Sequence, residues 1–322
     1  MQMVNSILIS PDGKLIATLR GEHTSWNTLD KPLALELWSV PKGNLLWKKE
    51  RAFRLLAFSP DSTRLVTIVA DAGALLLDTA TGKVKARFRP KTIPFSFAAF
   101  LPDGRIVVTA AAWPTRTSLP DAGEIQLWKA KTGHFMRTLK AETNAISTLA
   151  VSPDGNTLAV ANQANGVANT VILLDIMTDS IRYTLSFGAN VFMIPSLAFS
   201  PDGKTLAASS CTQDGKGEVR LWDVASGQLK RTITNADVGV VPIRWESYLT
   251  FFPDGQMLAI SGENQTVNLW SVADNKWRGS FGQSDPPDPG RYVIQFVPDG
   301  LLLAGVNQFQ QVEVKLWNYK RK

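Results

Sequence analysis

The run Ser196-Leu-Ala-Phe-Ser-Pro-Asp-Gly-Lys-Thr-Leu-Ala207, followed by Glu218-Val-Arg-Leu-Trp-Asp-Val-Ala-Ser-Gly227, decides how this chain is read. Two short apolar stretches flank Pro201-Asp202-Gly203. Proline cannot continue a strand ladder, aspartate bonds its own backbone, and glycine accepts a positive φ, so the trio predicts a tight hairpin turn. In the second run Val219 and Leu221 alternate with Arg220 and Trp222, which is strand periodicity with both faces partly covered. Ala225-Ser-Gly227 then turns the chain into a fourth strand, Gln228-Leu-Lys-Arg-Thr-Ile233. The unit is a four-stranded antiparallel meander.

The same unit recurs along the whole chain. Pro-Asp-Gly or its variant stands at Pro11, Pro60, Pro102, Pro153, Pro201, Pro253 and Pro298, the second copy reading Pro60-Asp61-Ser62. The spacing runs from 42 to 52 residues, close to the four-strand blade period of propellers. A third strand accompanies each copy: Leu35-Glu-Leu-Trp38, Leu75-Leu-Leu-Asp78, Ile125-Gln-Leu-Trp128, Ile172-Leu-Leu-Asp175, Val219-Arg-Leu-Trp222, Val267-Asn-Leu-Trp270 and Val314-Lys-Leu-Trp317. One such meander leaves two apolar faces and buries them only by stacking on its neighbours. The expected fold is therefore all-β, a seven-bladed β-propeller of four-stranded antiparallel meanders. One domain is expected over residues 1–322, with blades at about 3–50, 51–90, 91–141, 142–188, 189–236, 237–283 and 284–319. Trp38, Trp128, Trp222, Trp270 and Trp317 read as wedges between blades.

The quoted runs resemble repeats of the WD-repeat family, a divergent, prokaryotic-looking form of it. The resemblance implies a propeller used as a platform for other proteins. Two departures stand out: the Trp-Asp pair is intact only at Trp222-Asp223, and no repeat carries the Gly-His dipeptide that precedes the first strand in eukaryotic members. With only His23 and His134 in the chain, the histidine-mediated hydrogen-bond tetrad of those members is expected to be absent. Relatives usually close the ring with an N-terminal segment as the outermost strand of the last blade. Here the first strand, about Val4 to Ser10, follows Met1 to Met3 directly, and the last predicted strand is the third of blade seven, about Val312 to Trp317. The seventh blade is accordingly expected to be three-stranded.

Composition narrows the function classes. There are 34 Lys and Arg against 28 Asp and Glu, a net charge of +6, and 44% of residues are hydrophobic. The basic residues are scattered, the densest cluster being Lys320-Arg321-Lys322, so the surplus reads as solubility and nucleic acid is not expected as a partner. No apolar run approaches the ~20 residues of a membrane-spanning helix, and the N-terminus lacks the pattern of a signal peptide. A single cysteine, Cys211, excludes an intrachain disulfide and any multi-cysteine zinc site, in keeping with a reducing compartment. The expected location is cytoplasmic, with no membrane association. The expected state is a monomeric propeller, or a module of a larger protein.

Catalytic groupings are sparse. His134 follows Gly133 in a turn, and His23 sits in an insertion beside Glu22 and Thr24, so neither completes a serine triad. Asp214-Gly-Lys-Gly-Glu218 offers only two carboxylates, too few for a calcium loop. Asp285-Pro-Pro-Asp-Pro-Gly290 reads as a stiff extended loop. No cofactor or metal is expected. The seven turn aspartates are structural, since they recur at one place in the repeat.

What the sequence does predict is sidedness. In a meander the loops from strand one to two and from three to four leave one face, and those from two to three and from blade to blade leave the other. The uniform turns all fall on the first face. The insertions Arg20 to Pro32, Ala111 to Gly123, Asn162 to Asn169 and Ser210 to Gly217, with the blade connections Gly188 to Pro195, Asn235 to Glu246 and Gln283 to Arg291, fall on the second. Elaboration of one rim marks a binding face. Its candidate contacts with a protein or peptide are Trp26, Trp113, Arg116, Phe192, Arg244, Trp245 and Arg291, residue types that anchor interfaces. The expected function is a non-catalytic protein-interaction scaffold. The rival is a lactonase-like propeller hydrolase acting at the central channel, suggested by Val151-Ser-Pro-Asp-Gly-Asn-Thr-Leu-Ala-Val-Ala-Asn162. Against it, the first-strand positions nearest the channel, Ile7, Leu55, Phe97, Ile146, Pro195, Tyr248 and Val293, are mostly apolar.

Overall fold

The computed structural model describes residues 3–21, 33–40, 42–69, 73–89, 97–110, 123–143, 146–162, 169–188, 191–212, 217–234, 237, 248–261, 266–281, 291–297, 300–306 and 312–317. Every regular element among them is a strand. β1 (Met3–Ile9), β2 (Leu15–Gly21), β3 (Leu33–Ser39), β4 (Leu45–Phe58), β5 (Arg64–Val69), β6 (Gly73–Asp78) and β7 (Val84–Phe88) form one sheet in sequence order. A four-stranded sheet of β8 (Phe97–Phe100), β9 (Ile106–Ala110), β10 (Gly123–Lys129) and β11 (Phe135–Thr143) follows. The next is β12 (Ile146–Val151), β13 (Thr157–Asn162), β14 (Thr170–Asp175) and β15 (Ser180–Ser186). Then come β16 (Val191–Phe199), β17 (Thr205–Thr212), β18 (Gly217–Asp223) and β19 (Leu229–Thr234). After them lie β20 (Leu249–Phe251), β21 (Met257–Ser261), β22 (Val267–Ser271) and β23 (Lys276–Phe281). The last sheet has three strands, β24 (Arg291–Val297), β25 (Gly300–Val306) and β26 (Val312–Trp317). These antiparallel meanders are consistent with a propeller of about seven blades, and among the described residues the final sheet has three strands.

One boundary differs from the sequence expectation. The first and second meanders are joined because β4 runs unbroken through residues 50 and 51, and Ala52 pairs with Leu33 on one side and Val69 on the other. The chain has no turn residue between Trp47 and Phe58 to stop the strand. It passes from one meander to the next by register shifts at Leu33/Leu35 and Ala52/Arg54 instead, as bulges permit.

By its contacts the chain forms two compact units, one of Met1–Ala110, Gln126–Thr138 and Gln295–Lys322, the other of Ala111–Ile125 and Leu139–Ile294. Within each unit, alternate residues of a strand bury into different cores. In the first, Leu75 and Leu77 join Leu19, Leu35 and Leu37, whereas Leu76 joins Phe88, Val107 and Trp128. In the second, Leu206, Ala208 and Trp222 pack with Leu173 and Leu185, whereas Ala207, Val219 and Leu221 pack with Leu258, Ile260 and Trp270. This two-sided burial is what stacked meanders require. The first unit also brings the last sheet against the first, since a methyl group added at Gly13 would lie 2.8 Å from Val297.

The strand tryptophans whose side chains are described act as the expected wedges. Trp128, Trp222 and Trp270 are buried and Trp38 is half-buried. Trp222 meets Phe187 edge-on at 4.9 Å, and Trp128 meets Phe88 and Phe135 at 5.8 and 5.4 Å. Trp38 Nε1 donates to Thr18 Oγ1 at 3.1 Å and Trp128 Nε1 to Thr109 Oγ1 at 2.8 Å. Trp270 is only 2% exposed, and among the described residues its Nε1 has no acceptor. Thr18 stands opposite Glu36, two residues before Trp38, but the corresponding partner of Asn268 is Ile260, which has no hydroxyl to offer.

Candidate functional site

Antiparallel pairing fixes which loops share an edge of each sheet, and the two edges are built differently. At the first, each Ser-Pro-Asp-Gly turn closes on itself. Ser200 Oγ donates to Asp202 Oδ1 at 2.6 Å and accepts from the amide of Thr205 at 2.9 Å, while Asp202 Oδ1 also accepts from the amide of Lys204 at 3.0 Å. Ser10 with Asp12, Ser59 with Asp61 and Ser152 with Asp154 repeat the pattern. The Ser200 hydroxyl and the Lys204 amide hold the Asp202 carboxyl below the usual carboxylate range, and the Ser152 hydroxyl does the same for Asp154. A carboxylate held ionised by its own turn is a poor general acid. The turn aspartates are therefore structural, as their repetition suggests.

Ser62 is the informative exception. It occupies the glycine position with φ 60°, a conformation that costs a side-chain-bearing residue about 1–2 kcal/mol. It is buried, and its Oγ accepts from the amide of Asp12 at 3.2 Å, tying the second turn to the first. The hydrogen bond offsets the strain.

The turns between third and fourth strands are clasped from the neighbouring repeat. Tyr183 lays its ring on Gly227, where a Cβ would come within 2.6 Å, and its hydroxyl donates to Ala225 O at 2.6 Å. Trp47 does likewise at Gly82, with Nε1 donating to Thr79 O at 2.7 Å. Gly227 has φ +68°, so both its backbone and the approaching ring exclude a side chain there. Asp175, in the corresponding turn of its own sheet, accepts from the Thr178 amide and from Arg182, which lower its pKa to about 2.

At the opposite edge stand the feet of the insertions. Arg20 and Glu36, where β2 and β3 diverge toward residues 22–32, pair at 3.3 Å. Glu218 and Arg220 pair at 2.8 Å beside residues 213–216, and Arg220 also donates to Ser186 O at 3.0 Å. Long-range bonds secure the blade connections of the second unit: Asn169 Nδ2 to Val191 O at 2.5 Å, Ser147 Oγ to Ile194 O at 2.9 Å, and the Leu249 amide to Ser196 Oγ at 3.1 Å. Asp237 accepts from the Thr234 amide and from Arg231 at 2.8 and 3.0 Å. The bases of these loops are thus fixed before any partner arrives.

Of the seven candidate contacts, Trp26, Trp113, Arg116, Arg244 and Trp245 lie outside the described residues. Phe192 is placed within β16 and Arg291 begins β24, in both cases by backbone alone. His23 and residues 213–216 and 285–290 also lie outside. His134 is exposed in its turn. Of the positions assigned to the channel, Ile7 and Ile146 are buried, Phe97 and Pro195 half-buried and Tyr248 43% exposed; the side chains of Leu55 and Val293 are outside the described set. Among the described residues no three His, Cys, Asp or Glu side chains cluster as metal ligands, and no helix is long and apolar enough to cross a membrane.

Sequence reasoning missed that Tyr248, one of the first-strand positions, is an aromatic open to solvent directly after the connection 238–247. The signal was its polar neighbourhood, Glu246 and Ser247, just before the apolar strand. It also missed Asn169 and Ser196 as ties, for which one sequence holds no signal, because their partners lie 22 and 53 residues away.

The family model for the WD domain, G-beta repeat, matches residues 133–169, 183–223 and 246–271. Each matched stretch ends at or near a third strand, at Asn169 just before β14, at Asp223 closing β18 and at Ser271 closing β22. No match to a curated protein was found.

Proposed function

We propose, from the premise that this chain carries WD40 repeats, that it is a non-catalytic interaction scaffold which binds a protein or peptide on the insertion-bearing edge of its sheets. WD40 repeats generally serve protein–protein interaction, and the proposal locates that role. The observation that carries it is the division of labour between edges: the turn edge consumes its polar groups in its own turns, while the other edge anchors variable loops at fixed feet. Pre-fixed loop bases reduce the ordering cost of binding.

Trp26, Trp113, Trp245, Arg116, Arg244, Phe192 and Arg291 are the proposed contacts, and Tyr248 joins them. The proposed setting is a reducing compartment, consistent with the buried free thiol of Cys211.

Affinity capture with the intact chain tests the reading. A retained protein should be lost from the Trp26→Ala, Trp113→Ala, Trp245→Ala triple variant and kept by a Lys204→Ala, Lys14→Ala variant of the turn edge. The reverse pattern would move the binding surface to the turns.

A further inference from the structure

We infer that the outer strand β7 and the turn between β10 and β11 together form a second docking surface, which takes an acidic, extended segment of another polypeptide. The surface lies within the first unit and is separate from the insertion edge proposed above.

One small residue brings the two pieces together. Trp47 and Tyr183, which face Leu37 and Leu173 across their ladders, lay rings on the third-to-fourth turns at Gly82 and Gly227. In β7 the residue so placed, facing Leu76, is Ala86. With no ring in between, the next such turn closes directly on the β7 backbone, where a Cβ added at Gly133 would stand 2.3 Å from Arg87 O. The turn that carries Lys129 and Lys131 therefore lies against the strand that carries Arg87 and runs on to Arg89.

The charges gathered here are not those of the repeat. Arg87 faces Leu75, and at the same register the other sheets carry Thr184, Thr232 and Ser280, while Lys48 of the first meander is neutralised by Glu50 at 2.9 Å. Two residues on, Arg89 stands where Ser186, Thr234 and Glu50 do. Lys129 departs further. Asp78, Asp175 and Asp223 hold its position elsewhere, each accepting the amide three residues on at 2.9 Å, and Ser271 accepts it at 3.3 Å. A lysine has no acceptor to offer, so the β10–β11 turn closes without that cap. Lys131 stands in turn where Ala80, Met177, Ala225 and Ala273 do. A repeat that gives up a capping group for a cation breaks a local rule, and such breaks mark functional surfaces.

Arg87, Arg89, Lys129 and Lys131 are exposed, and among the described residues none of them pairs with a carboxylate. The acids of the adjoining turns are engaged, Asp78 with Lys85 and Thr81, and Asp103 with the amide of Arg105. Phe135 and Met136 follow the turn, 46% and 40% exposed. An acidic polypeptide answers both features. Carboxylates on alternate residues of an extended segment recur about every 6.6 Å, the spacing of alternate strand residues such as Arg87 and Arg89, and the segment's apolar atoms cover Phe135 and Met136. A single-stranded nucleic acid asks for open aromatic faces, and Phe135 already meets Trp128 edge-on at 5.4 Å.

The test uses the intact chain and a labelled twelve-residue peptide alternating Glu and Ala, with a Gln and Ala peptide as its uncharged counterpart. The acidic peptide should bind at low salt and the uncharged one should not. Arg87→Thr, Arg89→Ser and Lys131→Ala, combined, install residues that other repeats carry there and should weaken binding about tenfold or more. Lys204→Ala, Lys230→Ala and Lys276→Ala, combined, remove the same charge from the second unit and should change binding less than about twofold. Lys129→Asp restores the cap and should weaken binding while the unfolding midpoint holds or rises. Binding should survive in the Trp26→Ala, Trp113→Ala, Trp245→Ala variant, which separates this surface from the insertion edge. Equal losses in the two charge-matched variants overturn the inference, as does Lys129→Asp with a lowered midpoint and unchanged binding. Tighter binding of oligothymidylate or of phosphatidylserine vesicles, lost with the same three substitutions, overturns it in favour of nucleic acid or membrane.

Discussion

Serine, aspartate and asparagine do different work at the two edges of each sheet. On the turn edge Ser200 and Asp202 bond residues two to five positions away; on the insertion edge Asn169, Ser147 and Ser196 bond residues 22, 47 and 53 positions away. Local bonds within the Ser-Pro-Asp-Gly turns make those turns alike, and Ser62, Tyr183 and Trp47 add ties between neighbouring turns. Long-range bonds make the other edge a set of fixed feet, above which loop sequence is free to vary without disturbing the strands. The proposed function puts stability and binding on different edges of one repeat, and mutation can break or sharpen that division.

The largest expected effect lies between the edges, in the packed middle of the sheets. Trp222→Ala removes a ring that meets Phe187 at 4.9 Å and packs with Leu206 and Ala208. The cost should be about 3–5 kcal/mol, as for other buried aromatic truncations, with partner affinity intact in whatever fraction stays folded. Chemical denaturation measures the first and titration of the captured partner the second. Unchanged stability with lost binding would make this tryptophan part of the binding surface instead.

Next come the rim tryptophans. At least one of Trp26→Ala, Trp113→Ala and Trp245→Ala should weaken partner binding by more than about 2 kcal/mol, the scale of an interface anchor, and leave the unfolding midpoint within error. A loss of stability of the same size, with no loss of binding, would show these side chains tucked under their own loops.

The anchoring of the feet is tested by Asn169→Ala. Its amide is buried and holds Val191 O, so truncation leaves a carbonyl unsatisfied at a cost of about 1–3 kcal/mol. Ser200→Ala, on the turn edge, should cost less, about 1 kcal/mol, because Leu101 and Phe252 already stand at that position in other repeats and keep the turn through Leu101 N to Ile106 O and Phe252 N to Met257 O. Thermal or denaturant unfolding of the two variants side by side orders them. An equal cost would remove the distinction between the edges.

The same contrast explains what one sequence discloses. The turns were legible because Pro201, Asp202 and Gly203 each have a local conformational reason to be there, and the third strands because Val219 and Leu221 alternate with Trp222. Packing on both faces followed from that alternation, and three strands in the last sheet followed from counting. The continuity of β4 was not legible, since a strand that changes partners by a bulge at Ala52 leaves no turn residue and no break in apolar pattern. Nor was the Trp270 Nε1 without an acceptor among the described residues, which depends on Ile260 standing where Thr18 stands in the first sheet. Loop positions such as Trp26 and Trp245, which lie outside the described residues, rest on residue type alone, because nothing local dictates an insertion's path.

The smallest effect is also the most specific to the turn edge. Asp154 and Asp202 are held below the ordinary carboxylate range by the hydroxyls of Ser152 and Ser200, and Asp175 is lowered to about 2. A carboxyl whose folded pKa lies below its unfolded value of about 3.9 adds stability above that value, and the contribution drains away as pH falls through the folded one. Unfolding midpoints should therefore be flat from pH 7 down to about 5 as far as these groups are concerned, then fall between about 4 and about 2. Asp154→Asn with Asp202→Asn should leave the neutral-pH midpoint slightly lower and the acid limb shallower, since an amide still accepts the Ser152 or Ser200 hydroxyl but takes up no proton. An acid limb of unchanged slope in the double variant would mean that these turns titrate in step with the unfolded chain, and that their serines position the backbone without holding the carboxylate ionised.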